Sequence, residues 1–485
     1  MRSRVVVGVN AGVVLALGLA LLVPLTLSLL YGDGSWESFL IPAAAMIPLG
    51  AAGLWASRLR EVSYILERDV YLAVTLAWVL AALLGGIPYL LEGTFTSLVD
   101  STFEGMSGFT TTGATLLAEI EAETPSILFW RSMTQWLGGI GIVVLFVAVA
   151  PAIGAGAARL LGAEVSGFTH TRLTPRIADT AKVLLVIYLA ISLAEILALL
   201  VVGMPLYDAV VHTFTTVATG GFSPKTASVG FYDSFAIEAV IIVFMTLSAV
   251  TFSLYYLLYT RRRLDVVLDR EVLTYLAVLV GAVLFVWGVL VFEGDYTDSW
   301  GRALRDSAFT VTSIMTTTGF VTADFDKWDT AAKYTLVLLM FIGGCAGSTA
   351  GGIKVIRVMI VFRTHFQDIF RMVHPHAVTP LRIGDRVVPE GVRVAVLSLT
   401  LAWIAVFAQA TLLVALQEDL TLISAATAVA ATLNVVGPGL GQVGASENFE
   451  AVNSFGRVVL TICMLLGRLE IFTALALLSP AFWKR

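Results

Sequence analysis

Apolar runs dominate this chain from end to end. Stretches of about 20 predominantly apolar residues, enough to cross a bilayer as a helix, recur at roughly 5–30, 38–56, 70–91, 126–150, 181–203, 235–259, 271–292, 332–361, 391–416 and 454–479. Their recurrence along the whole chain predicts an all-α polytopic membrane protein. The first run follows the basic start MRSR, which could open a signal peptide. It is longer than a signal core and no small-residue cleavage site follows closely, so it reads as a transmembrane helix.

Composition agrees. Of 485 residues 58% are hydrophobic and 13% charged, with a mean hydropathy of +0.89, where a soluble chain carries about 25% charged residues. The net charge of −5 says little; its distribution says more. If every span crosses once, the basic residues of MRSR, Arg58–Arg60, Arg159–Lys182, Arg261–Arg263, Arg363–Arg386 and Lys484-Arg485 share one side. The excess of Lys and Arg makes that side cytoplasmic and puts both termini there. Opposite stand Glu119, Glu121, Glu123, Asp295, Asp298, Asp324, Asp326, Glu418, Asp419, Glu447 and Glu450 among few basic residues. Those acids either keep the outer face solvated or raise the cation concentration at a pore mouth. Cys345 and Cys463 lie inside apolar runs, which argues against a disulfide framework or metal cluster. No catalytic triad, zinc spacing or nucleic-acid footprint is present, so neither an enzyme nor a nucleic-acid partner is expected, and no organic cofactor.

One polar stretch recurs between the spans. DSTFEGMSGFTTTGAT (Asp100–Thr115) is followed by DAVVHTFTTVATGGFS (Asp208–Ser223), DSAFTVTSIMTTTGFV (Asp306–Val321) and a degenerate SAATAVAATLNVVGPG (Ser424–Gly439). In each, a residue of N-cap type (Asp100, Asp208, Asp306, Ser424) stands thirteen positions before a glycine (Gly113, Gly221, Gly319, Gly437). The repeat divides the chain into two N-terminal transmembrane helices (1–69) and four units of helix, short re-entrant pore helix, glycine turn and helix (70–180, 181–268, 269–390, 391–485). Each unit crosses an even number of times, so all four share one orientation, unlike the inverted repeats of many transporters.

A dozen residues make a helix of about 18 Å, too short to span. It can dip in and return only where its irregular end is buried in protein or lines water, and four such hairpins around one axis make a pseudo-fourfold pore. The helix C-termini then favour a cation, glycine permits close approach of the backbone, and rings of carbonyls replace hydration. The expected filter is Thr111, Thr112 and Gly113; Thr219, Gly220 and Gly221; Thr317, Thr318 and Gly319; and Val435, Val436 and Gly437. The threonines either satisfy neighbouring backbone groups or add hydroxyl ligands, an option missing at Val435-Val436.

With these turns, FWRSMTQWLGGIGIVVL (Phe129–Leu145), GGCAGSTAGGIKVIR (Gly343–Arg357) and GRLEIFT (Gly467–Thr473), the chain resembles the Trk/Ktr/HKT superfamily of potassium transporters, and its two extra N-terminal spans resemble the TrkH branch. The resemblance covers essentially the whole chain. It implies potassium uptake across the bacterial inner membrane through a filter that binds potassium at the residues above. It further implies a homodimer with one pore per protomer, and a cytosolic TrkA-type subunit that senses nucleotides. Glycine at all four filter positions goes with potassium preference in that family. A symporter coupled to protons or sodium shares the fold and stays open as the alternative.

GSTAGGIK fails the phosphate-loop spacing. Its small residues Gly347, Ser348, Thr349, Ala350, Gly351 and Gly352 either pack helices closely or break the third repeat's second helix into a loop below the filter, which the resemblance makes an intramembrane gate. Arg468, mid-way along the last run, costs about 2.5–3.5 kcal/mol there on insertion scales. It is expected to face that loop as a positive barrier, with a packing salt bridge as the other option and Glu470 a poor partner. Lys354 is expected to snorkel. Glu195 is either a hydrogen-bonded packing residue or an ion carrier. His212 is expected to be structural, and His365, His374 and His376 to be solvated in a basic loop suited to docking the regulatory subunit.

Overall fold

The computed structural model describes residues 3–57, 67–149, 177–261, 269–292, 299–377, 379–384 and 386–483. The predicted basic positions Arg58, Arg60, Arg159, Arg262, Arg263, Lys484 and Arg485, and the acids Asp295 and Asp298, lie outside the described residues. The fold is all-helical apart from a two-residue hairpin pairing Arg382–Ile383 with Arg386–Val387.

Helices α1 (Ser3–Ala20) and α2 (Leu22–Tyr31) form the first span, and α3 (Trp36–Ser57) packs on it. Small residues allow the approach: a Cβ at Gly50 would lie 2.5 Å from the Leu15 backbone nitrogen. Asn10 donates across to the Ala73 carbonyl of α4 (Glu67–Gly85) at 3.3 Å, which ties this pair to the rest.

Four units follow. The first holds α4, α5 (Ile87–Glu92), the short α6 (Leu98–Phe109) and α7 (Pro125–Val149). The second holds α8 (Ile177–Val201), short α9 (Leu206–Val217), α10 (Phe235–Ser248) and α11 (Phe252–Arg261). The third holds α12 (Arg270–Phe292), short α13 (Trp300–Met315), α14 (Thr330–Ile342) and α15 (Val355–Val373). The fourth holds α16 (Glu390–Val414), short α17 (Leu422–Leu433), α18 (Ser454–Arg468) and α19 (Phe472–Leu475), and α20 (Pro480–Trp483) ends the chain. Among the described residues six helices are long and apolar enough to cross a bilayer, or seven with the bent pair α10–α11. Their outward faces expose large apolar side chains such as Leu193, Leu284 and Leu401, as lipid requires.

Two expectations need correction. The four cap-type residues do not cap. The short helices start earlier, behind Ser97, Pro205, Ser299 and Thr421, of which Ser97 and Thr421 accept from the first-turn backbone. Asp100, Asp208 and Ser424 stand at the third helical position and Asp306 at the seventh. An acid in the first turn still complements the helix dipole, but these carboxylates pair elsewhere: Asp100 with Arg457 at 2.5 Å, Asp208 with the Tyr232 hydroxyl at 2.7 Å, Asp306 with Arg302 at 3.2 Å.

The apolar runs 235–259 and 454–479 also predict continuous helices, and both are interrupted. The first bends by 90° between α10 and α11. The second stops at Arg468, and Glu470 and Ile471 take φ of 57° and 56° before α19. The break in 332–361, between α14 and α15, is by contrast foreshadowed by glycines. The interruptions are tertiary in origin. The segment between α14 and α15 docks on the α10–α11 bend, with Cys345 donating to the Ala249 carbonyl (2.9 Å), Phe252 to the Gly347 carbonyl (3.1 Å) and Thr251 Oγ1 to the Ala346 carbonyl (2.6 Å). Backbone groups freed by one break satisfy those freed by the other, as an apolar interior demands.

Candidate functional site

The four short helices end identically. At each C-terminus one backbone N–H reaches three residues back and the next reaches five back. Thr111 donates to Gly108 and Thr112 to Ser107; Thr219 to Thr216 and Gly220 to Thr215; Thr317 to Ile314 and Thr318 to Ser313; Val435 to Thr432 and Val436 to Ala431, all between 2.7 and 3.3 Å. This is a Schellman ending, whose left-handed position is normally glycine. Here it is held by Thr111, Thr219, Thr317 and Val435, at φ 58°, 53°, 57° and 61°. A β-branched residue there is an outlier that costs about 1–2 kcal/mol. Four persist at equivalent places, which marks a conformation imposed by its surroundings and a functional-site candidate.

Two residues on, Gly113, Gly221, Gly319 and Gly437 are left-handed as well, at φ 83°, 80°, 83° and 106°. Each faces the turn of the next unit. A Cβ on Gly113 would lie 2.1 Å from the Gly220 carbonyl oxygen, on Gly221 2.0 Å from that of Thr318, on Gly319 2.1 Å from that of Val436, and on Gly437 2.9 Å from that of Thr112. The contacts run from unit one to two, two to three, three to four and four back to one. The predicted filter residues are therefore brought together in one closed ring of backbone, with no room for a side chain at any of the four glycines and the least crowding at Gly437.

The hydroxyls divide. Thr112 and Thr318 bond to the helix-terminal Thr110 and Thr316 at 2.8 Å, and Thr219 donates to the Ala218 carbonyl at 2.7 Å. The buried Thr111 hydroxyl has no partner among the described residues. Sequence reasoning missed the side chains that brace the ring from behind. Gln135 of α7 donates to the Gly220 carbonyl (2.7 Å) and accepts from the Phe222 N–H (3.1 Å). Arg131, also on α7 and buried, pairs with the buried Glu104 of α6 at 2.7 Å, donates to the Ser223 carbonyl at 3.1 Å and lies 3.6 Å from the Phe222 ring centroid. Glu104 in turn accepts from the Thr115 hydroxyl and the Leu116 N–H (2.8 and 3.1 Å). The string FWRSMTQW carried the signal, a buried Arg and Gln one helical turn apart.

One mouth of the ring opens into a polar vestibule of about 80 Å³, lined by the four glycines together with Arg131, Lys225, Glu447 and Asn448. The acids expected to line this side are partly committed to structure. Glu121 accepts from Thr226 (N–H at 3.1 Å) and ties units one and two, and Asp326 accepts from the Gly441 N–H (2.9 Å) and ties three and four. Burial, with Asp324 nearby, raises the Asp326 carboxyl above its ordinary value. The imidazole of His212 spans from the Asp208 carbonyl (2.8 Å) to the Ser223 hydroxyl (3.2 Å).

The opposite face of the ring meets the segment Gly343–Lys354. Gly347, Gly352 and Lys354 have φ of 74°, 75° and 82°. The Gly351 N–H donates to the Thr317 hydroxyl (2.6 Å), the Gly352 N–H to the Asn434 carbonyl (3.1 Å), and the Thr349 hydroxyl to the Val217 and Ser248 carbonyls (3.0 and 3.2 Å). A loop of unit three thus touches the filter ends of units two, three and four. Ser348, Thr349 and Ala350 are buried.

Arg468 lies against this loop, 2.8 Å from the Thr349 carbonyl through Nη1. It is 4% exposed, its Nε and Nη2 have no hydrogen-bond partner, and it forms no ion pair among the described residues. The packing salt bridge at this depth belongs to other residues: Arg357, at the start of α15, meets Glu470 at 2.6 Å. Lys354 does not snorkel. It is 7% exposed and turns back to the Ala350 carbonyl. Glu195 on α8 is fully buried with both carboxylate oxygens unbonded among the described residues, and the Thr216 hydroxyl beside it is given to the His212 carbonyl at 2.8 Å. The basic segment from Arg363 is not all loop, since α15 continues to Val373 and exposes His365 beside Phe366.

The model of the family TrkH, cation transport protein, matches residues 38–485. The chain is similar to the Trk system potassium uptake protein TrkH of Halomonas elongata, at 37% identity over 488 residues and the full length of both. It is similar at 36% identity over 487 residues to the protein of that name from Escherichia coli K12, again at full length of both. It is 32% identical to the Escherichia coli Trk system potassium uptake protein TrkG, with 99% of each chain covered. Among solved structures, the crystal structure of the potassium transporter TrkH from Vibrio parahaemolyticus is similar with a TM-score of 0.91, 35% identity and 100% of both chains covered.

Proposed function

This chain belongs to the TrkH family of cation transport proteins, and we propose that it takes up potassium through a passive, channel-like pore whose selectivity filter is the closed ring of four turns. The family transports ions and is not one of enzymes, and its members named above are potassium uptake proteins. The ring is the observation that carries the proposal. Four strained helix endings, each set against the next unit's carbonyl, form a closed ring of backbone at the negative ends of four helix dipoles, which supports a reading in which their oxygens face a common axis. Carbonyls preset in this way substitute for a hydration shell. Potassium is the substrate, and no organic cofactor takes part.

Gating falls to Gly343–Lys354. The loop closes the inner face through four hydrogen bonds that small displacements undo, and four of its residues, Gly343, Gly347, Gly352 and Lys354, hold positive φ. The uncompensated guanidinium of Arg468 beneath Thr349 adds electrostatic resistance to a cation arriving there. The division into residues 1–69, 70–180, 181–268, 269–390 and 391–485 follows the repeat. The vestibule faces outward and the basic segments inward, in the inner membrane, with both termini cytoplasmic. A nucleotide-sensing subunit of TrkA type acts on the inner face of a homodimer.

Rubidium-86 uptake into proteoliposomes tests the mechanism. Uptake driven by an electrical gradient alone is expected. Uptake that requires a proton or sodium gradient establishes the symporter instead, a reading that the unpartnered Glu195 carboxyl favours.

A further inference from the structure

On the side away from the vestibule, α12 and α15 part to leave an open groove of about 380 Å³, within the range of ligand sites. Its floor is apolar, from Leu273 and Ala277 of α12 and Met359 of α15. Its rim is basic. Arg270 opens α12 and Arg363 stands two turns into α15; both side chains are exposed and line the groove, with the Thr274 hydroxyl between them in the lining. Among the described residues no carboxylate lines it. Arg363 also donates to the Arg382 carbonyl, which fixes the guanidinium at the rim. Val280 and Leu284, one to two turns beyond the groove on α12, are apolar and exposed.

We infer that this groove binds an anionic phospholipid, its phosphate held between Arg270 and Arg363 and one acyl chain laid between α12 and α15. Charge complementarity selects the occupant. Guanidinium forks match phosphate oxygens in a bidentate way. The position at the basic end of the spans is where a headgroup phosphate sits, and an apolar floor running on into the bilayer suits an acyl chain rather than a soluble anion. The segment from Gly343 to Lys354 leads directly into α15, so a lipid that clamps α12 to α15 holds the foot of the loop beneath the filter. The inference uses only the membrane placement of the chain and does not depend on whether transport is passive.

Native mass spectrometry of the delipidated full-length protein, titrated with phosphatidylglycerol or phosphatidylcholine carrying the same acyl chains, reads the site directly. Each arginine is expected to contribute roughly fivefold to anionic-lipid affinity, so Arg270→Gln/Arg363→Gln should weaken phosphatidylglycerol binding about thirtyfold and leave phosphatidylcholine unchanged. Ala277→Trp keeps both arginines and fills the floor, and it should also remove phosphatidylglycerol; it serves if the double variant does not fold. Equal binding of the two lipids by the unaltered protein overturns the inference. So does wild-type binding by both variants. Displacement by millimolar inorganic phosphate identifies a soluble-anion site instead, and lipid-free dimers whose groove is protected from cross-linking identify a second copy as the occupant. Any of these outcomes leaves the transport assay untouched.

Discussion

Alanine at each filter glycine, one at a time, puts the ring geometry under direct test. At Gly113, Gly221 and Gly319 the added Cβ meets a neighbouring carbonyl oxygen at 2.0–2.1 Å, and at Gly437 it meets one at 2.9 Å. Ordinary carbon–oxygen contact begins near 3.4 Å. The first three substitutions therefore displace a filter carbonyl by more than 1 Å, and the fourth by about 0.5 Å. All four also pay a left-handed backbone cost of about 1–2 kcal/mol or more, largest at Gly437, whose φ of 106° lies furthest from the αL basin; that cost falls on stability, and the clash is what displaces a carbonyl. A displaced carbonyl is one lost or lengthened ligand for the cation. Taking one such ligand as a charge-assisted interaction of about 1.5–3 kcal/mol, potassium preference over sodium should fall roughly tenfold or more in the first three variants. In Gly437→Ala the loss should be clearly smaller. The assay is rubidium-86 uptake into proteoliposomes with sodium as competitor, each variant first checked for a monodisperse elution profile. If Gly437→Ala is as damaging as Gly221→Ala, the carbonyl contacts are not what sets selectivity. If Gly113→Ala retains wild-type preference, the ring is not the filter.

Other substitutions test the surrounding parts. Arg468→Gln keeps a donor for the Thr349 carbonyl and removes the charge; at a separation of about 10 Å and an effective dielectric of about 20 that charge is worth roughly 1.7 kcal/mol, so basal rubidium flux should rise about tenfold, and an unchanged flux excludes an electrostatic barrier. Arg131→Met strands the buried Glu104 carboxylate and should cost about 3–5 kcal/mol, read as a lowered Tm in detergent. Most of that loss should return in Arg131→Met/Glu104→Gln, and a double variant no better than the single one refutes the pairing. Asp326 has a folded-state pKa above its unfolded value, chiefly through burial, so the folded state favours its protonated form. Its contribution to stability is therefore best below the unfolded pKa and is lost as pH rises through the folded pKa. Asp326→Asn should accordingly match or exceed wild-type Tm at pH 7 while still accepting from Gly441, and it should lose the part of the acid-side stabilisation that this carboxyl provides.

What the sequence revealed and what it hid have different physical origins. Short helices of fixed rise and a glycine whose neighbour is a backbone oxygen both impose a spacing, and that spacing survived in four copies. The identity of the caps did not come through, because an aspartate at the third helical position satisfies the same dipole as one at the cap. The Gly343–Lys354 loop was visible because its turns need glycine. The breaks after Ser248 and Arg468 were not, since each is made by bonds from residues far along the chain: Ala249 with Cys345, Thr251 with Ala346, Glu470 with Arg357, which is 113 residues away. Val435 shows which of these levels the site depends on. It replaces a threonine, has no hydroxyl to offer, and still takes φ 61° with the same pair of backbone bonds as its three counterparts. A side-chain ligand scheme would not tolerate that exchange in one quarter of a ring. A backbone scheme does, provided that the residue two places on stays small enough to sit against its neighbour's carbonyl, and at Gly437 it does so with 0.8 Å more clearance than at Gly113 or Gly319. The fourth turn has thus drifted in side chain and loosened in contact together, which places its tolerance to substitution where the alanine series can measure it.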